Sequence, residues 1–447
     1  MGNTPGISAH GLRRELRLFD ALMINIGTIL ASAIFVVPAN ITAGVETPFL
    51  STFVWVFAGL LSWCGAVTLA ELGVLYPEAG GEYVYLEKAY HPLLGFLYGW
   101  TLFACIQTAS IAAVSVVFMT YLGYFFPFSD TAIKAGAIAL TFGLSALNCI
   151  SIRTSANTQN VTTVAKLVMV GIIAVVCLLF GKEGGSSVAQ MLPESSSHSL
   201  FASFGMAMVA ALWAYDGWIS VTFVGGEVRE PQKFLPRSLS YSVLLLIVIY
   251  VVLNFAFMKA LPLDQMATTD RVAADAVENV IGTTGGAIVS LAVVISCFAA
   301  VNGFIFTGAR VYYAMAVDGR FFPSFAKLNK NRIPVNAIVA QAVWASLIAL
   351  TGTYDQLFTY VVFTSWLAYG LAAAGVIVLR KKRPDLPRPY KALGYPYLTL
   401  TFVFLTAILL ANTLIEDPRD ALVGTGLVAA GIPLYYFWTR SKRTTKY

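Results

Sequence analysis

Gly27-Thr28-Ile29-Leu30-Ala31-Ser32-Ala33 interrupts a hydrophobic stretch of about 25 residues, long enough to cross a bilayer. Ala214-Tyr215-Asp216-Gly217-Trp218 interrupts a second such stretch, at the matching place in the other half of the chain. Only a helix pairs all of its own backbone groups in lipid, so a break in one frees N–H and C=O groups at membrane depth. Those groups are tolerated where they are buried in protein or line a cavity. A matched pair of breaks therefore points to a binding site at mid-membrane.

The surrounding chain reads the same way. Of its 447 residues 58% are hydrophobic and only 12% charged, with mean hydropathy +0.74, against roughly 25% charge in soluble proteins. Apolar stretches run nearly end to end, which predicts an all-α polytopic membrane protein with one membrane domain over 18–438 and short tails at 1–17 and 439–447. Twelve transmembrane helices are expected, at approximately 18–43, 48–75, 93–126, 132–150, 160–181, 200–224, 238–262, 279–315, 335–352, 355–380, 396–414 and 420–438. The segments 93–126 and 279–315 exceed the ~20 residues needed to cross and are expected to tilt or to extend beyond the bilayer. Polar residues leading into Arg13, Arg14 and Arg17, followed by a long apolar segment without a cleavage-type end, do not read as a secretory signal.

Charge sets the expected orientation. With the N-terminus inside, alternate loops and both tails hold every one of the 29 basic residues except Lys134, Lys166, Lys182, Lys259, Arg271 and Arg419. That asymmetry follows the positive-inside rule and places both termini in the cytoplasm, with the protein in the cell (inner or plasma) membrane. The densest basic loop, Arg380-Lys381-Lys382-Arg383 with Arg388 and Lys391, reads as a topology determinant, with contact to anionic lipid heads as the alternative. Net charge +6 is carried by loops and does not suggest nucleic acid. An odd number of spans per unit makes 18–181 and 200–380 an inverted five-plus-five repeat, leaving 396–438 as two accessory helices.

The first break is rich in small residues. Bare N–H groups at the start of a half-helix suit a carboxylate; close helix–helix packing through small residues is the alternative. In the second break Asp216 is ionisable in mid-membrane, where a charge costs about 2.5–3.5 kcal/mol on insertion scales, so it reads as functional. Its structural alternative is to cap the second half-helix. Trp213, Tyr215 and Trp218 supply rings to cover a ligand. Lys166, within the fifth span, could replace a bound cation or carry a proton; the alternative is snorkelling to an interface about two turns away. Glu71 and Arg310 are either partners in an inner gate or ordinary helix-end charges. His10, His91 and His198 lie in tails or loops, and no Walker A, HExxH, CxxC pair or Ser-His-Asp signature occurs, so neither enzyme chemistry nor any cofactor or metal is expected. The five cysteines fall in apolar stretches and read as small buried side chains.

Several strings, in one order over approximately residues 13–438, resemble the amino acid–polyamine–organocation superfamily. They look most like bacterial members of its L-type amino acid transporter family, near the serine/threonine exchanger type. The strings are Ala70-Glu71-Leu72 running to Pro77-Glu78-Ala79-Gly80-Gly81-Glu82-Tyr83-Val84-Tyr85-Leu86; Phe96-Leu97-Tyr98-Gly99-Trp100; Trp213 to Trp218 with Glu227, Pro231 and Leu235-Pro236-Arg237; Thr307-Gly308-Ala309-Arg310-Val311-Tyr312-Tyr313-Ala314-Met315; and Arg383-Pro384-Asp385-Leu386-Pro387-Arg388-Pro389-Tyr390-Lys391.

The resemblance implies a twelve-helix fold with broken helices 1 and 6, alternating access, and sodium-independent amino acid transport, commonly by exchange. It implies that the substrate carboxylate binds backbone amides of Ala31, Ser32 and Ala33, beside Thr28 and Ile29, and that Trp213, Ala214 and Asp216 hold the amino group, with Trp213 as outer gate. Cys105, Ile106 and Trp366 match positions near the substrate side chain, and Lys166 matches a lysine that replaces a sodium ion. Ala31 and Ala33 stand where the family pattern has glycine; each methyl narrows the site and makes left-handed backbone costly. Eukaryotic relatives pair with a glycoprotein through a cysteine between spans 3 and 4, but Tyr124 to Lys134 has none, so no disulfide-linked subunit is expected.

The leading expectation is a neutral L-amino acid exchanger. The alternatives are a proton-coupled symporter and a transporter of cationic amino acids or polyamines, and, more remotely, an amino acid sensor on a transporter fold.

Overall fold

The computed structural model describes residues 11–182, 200–269, 271–352, 354–416 and 418–444. Every regular element among them is helical, and their one β-contact is an isolated parallel bridge between Leu16 and Val228. Nine described helices are long and apolar enough to span: Pro48–Leu75, Pro92–Leu122, Asp130–Asn148, Ile152–Phe180, Pro231–Ala260, Thr284–Val317, Val362–Lys382, Tyr397–Glu416 and Ala421–Thr439. Three apolar helices are shorter: Leu18–Ile29, Ser203–Tyr215 and Val335–Thr351. Two of these three carry the breaks, so the loss of length is the interruption itself.

The elements that place the site are α1 (Leu18–Ile29), α2 (Val37–Val45), α3 (Pro48–Leu75), α4 (Glu82–Ala89), α5 (Pro92–Thr101), α6 (Gln107–Leu122), α7 (Asp130–Asn148), α8 (Ile152–Phe180), α9 (Leu200–Tyr215), α10 (Ser220–Phe223), α11 (Pro231–Ala260), α12 (Leu263–Thr268), α13 (Val272–Ile281), α14 (Thr284–Val317), α15 (Val335–Thr351) and α16 (Tyr354–Lys382). The starts follow local chemistry. Thr47 caps α3 by accepting the Leu50 N–H, with Pro48 at the first helical position, and Ser151 caps α8 by accepting the Thr154 N–H. Between α5 and α6 the chain winds as a π-helix over Leu102–Ile106, a one-turn widening that is frequent at functional sites.

Both breaks sit slightly later than the small-residue runs suggest. α1 stays helical through Gly27, Thr28 and Ile29, then opens at Leu30–Ser32 before a 3₁₀ turn at Ala33–Phe35. α9 stays helical through Ala214 and Tyr215, then turns at Asp216–Ile219 into α10. The long segment expected at 279–315 is a single helix over Thr284–Val317, whereas the last spanning stretch, Ala421–Thr439, carries a one-residue turn at Ala430 between Pro418–Ala429 and Gly431–Thr444. α1 is central: it packs against α8, α11 and α14, while α2 packs on α9 and on α12.

Cys64, Cys105, Cys177 and Cys297 are buried free thiols; Cys149 differs in being half-buried at the C-terminal cap of α7.

Candidate functional site

The first break is held from behind by a cation. Lys166, on α8, is fully buried, and its ammonium donates to the carbonyls of Gly27 (2.9 Å), Leu30 (2.6 Å) and Ser296 (3.1 Å). It does not snorkel. Two of those carbonyls are groups that the end of α1 leaves without intrahelical partners, so the lysine supplies the donors that the broken ladder lacks. Tyr250 on α11 adds a hydroxyl to Ile29 O (3.3 Å) and to Ala214 O (2.8 Å), tying one break to the other.

The second break closes on the first through small contacts. Gly217 has φ +95°, a left-handed conformation, and a methyl there would lie 3.3 Å from Thr28. Thr28 Oγ1 donates toward Gly217 O at 3.2 Å, besides the Ile24 and Asn25 carbonyls. Asn25 then reaches across: its Oδ1 accepts the Val221 N–H at 2.9 Å, satisfying a donor in the first turn of α10. Asn25 thus does what Asp216 was weighed for as a cap; no side chain caps α10 at its own N-cap residue, Ile219. Asp216 is instead half-buried, its Oδ1 accepting the Tyr369 hydroxyl at 2.7 Å. Tyr369 is itself fixed by the rings of Trp218 (centroids 5.1 Å) and Trp366 (5.8 Å).

Between the breaks lies a cavity of about 60 Å³, lined by Thr28, Ile29, Ala31, Ser32, Ala33, Trp213 and Asp216, with Ser110, Ala113 and Val114 of α6 and Phe304 of α14 closing it. Seven residues singled out from the sequence therefore meet in one place. The others do not line it. Ala214 is fully buried and contributes its carbonyl to Tyr250. Cys105 and Ile106 fall in the π-helix, and Ile106 lines a neighbouring cavity with Tyr98, Thr101 and Thr364. Trp366 is buried in the wall behind Tyr369, against Phe402 (5.9 Å). The α6 residues and Tyr369 were not anticipated: Ser110, Ala113 and Val114 are unremarkable in an apolar helix, and nothing in the sequence ties Tyr369 to Asp216.

Glu71 and Arg310 do not pair. Glu71, on α3, accepts Arg380 at 2.6 and 3.0 Å and the Ala392 N–H at 2.7 Å, with Arg388 at 3.4 Å. The basic segment after α16 is thus partly pinned to the bundle by one acid. Arg310, on α14, is fully buried; its Nε donates to Glu227 at 3.0 Å and its guanidinium lies 4.5 Å from the Phe306 ring centre. Helical spacing shows which charges are buried, but not which partner a long loop will bring. Among the described residues no group of three or more His, Cys, Asp or Glu side chains is placed to hold a metal.

Two interrupted helices facing across a small cavity, inside an all-helical bundle, define a membrane transporter rather than an enzyme. Sequence comparison agrees. The chain belongs to the amino acid permease family, whose model matches residues 16–437, and so to the amino acid–polyamine–organocation superfamily that its motifs resemble. It is 31% identical over 440 residues to the serine/threonine exchanger SteT of Bacillus subtilis (strain 168), covering 97% of this chain and 98% of that protein. It is 30% identical to the human b(0,+)-type amino acid transporter 1 over 96% of this chain and 89% of that protein. The human large neutral amino acids transporter small subunit 2 is 29% identical over 95% of this chain and 80% of that protein. The protein is therefore a multi-pass membrane amino acid transporter.

Proposed function

We propose that the protein is a sodium-independent exchanger of neutral L-amino acids, working by alternating access through twelve spans arranged as an inverted five-plus-five repeat. The observation that carries this reading is the polarity of the cavity. Its lining combines the Ala31–Ala33 segment, where the chain leaves α1, with Asp216 of the second break. A zwitterion fits that lining with its carboxylate toward the N–H groups of Ser32 and Ala33, the Ala31 N–H already donating to Ile29 O at 2.8 Å, and its ammonium toward Asp216. Lys166 occupies the carbonyls where a small cation would otherwise sit, which supports independence from sodium. The methyls of Ala31 and Ala33, with Ser110 and Ala113 opposite, favour small side chains. Trp213, half-buried at the cavity, is placed to act as the gate, with Cys105, Ile106 and Trp366 outside its immediate lining. Both termini are assigned to the cytoplasm of the cell membrane, and no disulfide-linked subunit is needed.

The test is uptake of a labelled amino acid panel into sodium-free proteoliposomes, empty or preloaded with unlabelled amino acids. Uptake confined to preloaded vesicles is expected. Uptake into empty vesicles driven by a pH gradient would replace exchange by proton symport, and competition by cationic but not neutral substrates would reassign Asp216 as their counter-ion.

A further inference from the structure

The short helix α4 lies between the spanning helices Pro48–Leu75 and Pro92–Leu122 and carries two carboxylates in opposite circumstances. Glu87 is paired with Arg320, which also donates to the Tyr83 hydroxyl at 3.0 Å; Tyr83 in turn donates to Asp318 at 2.7 Å. Glu82 is fully buried and has no such pairing. Its Oε1 accepts the Tyr98 hydroxyl at 3.2 Å, and among the described residues its Oε2 has no hydrogen-bond partner and no basic side chain pairs with it. The titratable groups that face it are Tyr98 of α5, Tyr85 of α4 itself, Tyr369 of α16 and Asp216 of the second break, hydroxyls and a second acid. A carboxylate in that setting is costly unless it is neutralised, and the simplest neutraliser is a proton.

The two residues just before Glu82 pack against the segment that follows the second break. Gly80 N–H donates to Phe223 O at 3.1 Å, and a methyl on Gly81 would lie 2.6 Å from both Thr222 and Phe223. The start of α4 is thus seated directly against α10, which continues from Asp216. We propose that Glu82 is a proton-binding site kept closed by the seating of the start of α4 on residues 220–227: it holds a proton while that contact is made and releases it to water when the contact opens. The proposal rests on alternating access, because it needs this face of the bundle to open. It adds a titrating group distinct from Lys166 and Asp216.

Burial pushes the Glu82 carboxyl up to about 8; the backbone at the start of α4 and the Tyr98 hydroxyl pull it down, and Asp216 adds to the rise. When hydrated, the same group would return toward the ordinary glutamate value of about 4.3. The sign follows from linkage. Below both values the group is protonated in either state and the seated state is fully favoured. As pH rises between them the open state sheds the proton and the seated state keeps it, so the seated state loses ground by about tenfold per pH unit. Above the higher value the balance no longer changes.

The experiment is pH-difference infrared spectroscopy of the full chain in lipid nanodiscs, between about pH 6 and about pH 9.5 to span both protonation states. A protonated-carboxyl band lost with a midpoint of about 8 is expected. It should persist in Asp216→Asn and be absent in Glu82→Gln. Tyr98→Phe removes a hydrogen bond to the charged form and should raise the midpoint, giving a second handle should Glu82→Gln fail to fold. A band that survives in Glu82→Gln, or a midpoint unmoved in folded Tyr98→Phe, would overturn the assignment. In proteoliposomes the exchange rate should vary with pH on the α4 side for the wild type and be flat for Glu82→Gln. Because the infrared result is read without transport, its failure overturns Glu82 alone, whereas an absence of amino acid uptake overturns the functional reading alone.

Discussion

The two breaks meet at one cavity but are built by opposite means. At the first, small residues expose the backbone, and the charge that stabilises it, Lys166, stands behind the chain on α8, bound to carbonyls. At the second, the charge is in the break itself: Asp216 lines the cavity and is held by a neutral hydroxyl, Tyr369. One break thus keeps its cation out of the cavity lining, bound to carbonyls; the other places a carboxyl in that lining. In the exchanger proposed above, that difference would let the site receive both ends of a zwitterion without burying an ion pair of its own.

The strongest way to break this comparison is to remove the cation. Lys166→Ala leaves the Gly27, Leu30 and Ser296 carbonyls without their donor, and hydrogen bonds to charged groups are worth about 1.5–3 kcal/mol each. Because Lys166 does not line the cavity, turnover should fall on the order of a hundredfold while substrate affinity changes much less, a split read from exchange kinetics and equilibrium binding. Wild-type turnover would reduce Lys166 to filler. Asp216→Asn attacks the other break and should cost affinity by about ten- to a hundredfold, through loss of a charge-assisted contact to the ammonium. Unchanged KM would remove Asp216 from the site. Gly217→Ala tests how closely the breaks are joined: the left-handed backbone and the nearness of Thr28 should cost about 1–3 kcal/mol of stability, seen as a lowered Tm. Tyr369→Phe should raise KM by about fivefold, the value of one neutral hydrogen bond, if the hydroxyl only orients Asp216. The gentlest probe is Ala31→Gly with Ala33→Gly, expected to shift relative rates across a substrate panel by about twofold, below the roughly tenfold that one methylene is worth in a filled apolar pocket, because it removes methyls without leaving a polar group unpaired. An identical profile would show that those methyls do not touch the substrate.

How much of this was legible in the chain depends on the length scale of the signal. The breaks were readable because small residues and Asp216 stand out against a long apolar run, and Lys166 because an ammonium in a span is costly. Their boundaries were off by a few residues because Gly27, Thr28, Ala214 and Tyr215 are compatible with helix, and where a ladder ends is settled by tertiary partners such as Tyr250. Partners distant in the chain were not readable at all. Glu71 meets Arg380 and Arg310 meets Glu227, and no local periodicity encodes either choice. Asn25 was passed over because an asparagine in an apolar helix has no local sign that it reaches Val221.

The isolated bridge between Leu16 and Val228 has a mechanical meaning. Leu16 N–H donates to Glu227 O at 2.9 Å and Leu16 O accepts the Arg229 N–H at 2.8 Å, just where the chain enters α1 and just after it leaves α10. Those bonds splice the limb that leads into the first break to the limb that leads out of the second. In the alternating-access cycle proposed above, a stroke that swings one limb would pull on the other through the splice, so a substrate held by both breaks would be let go at both ends together rather than in turn.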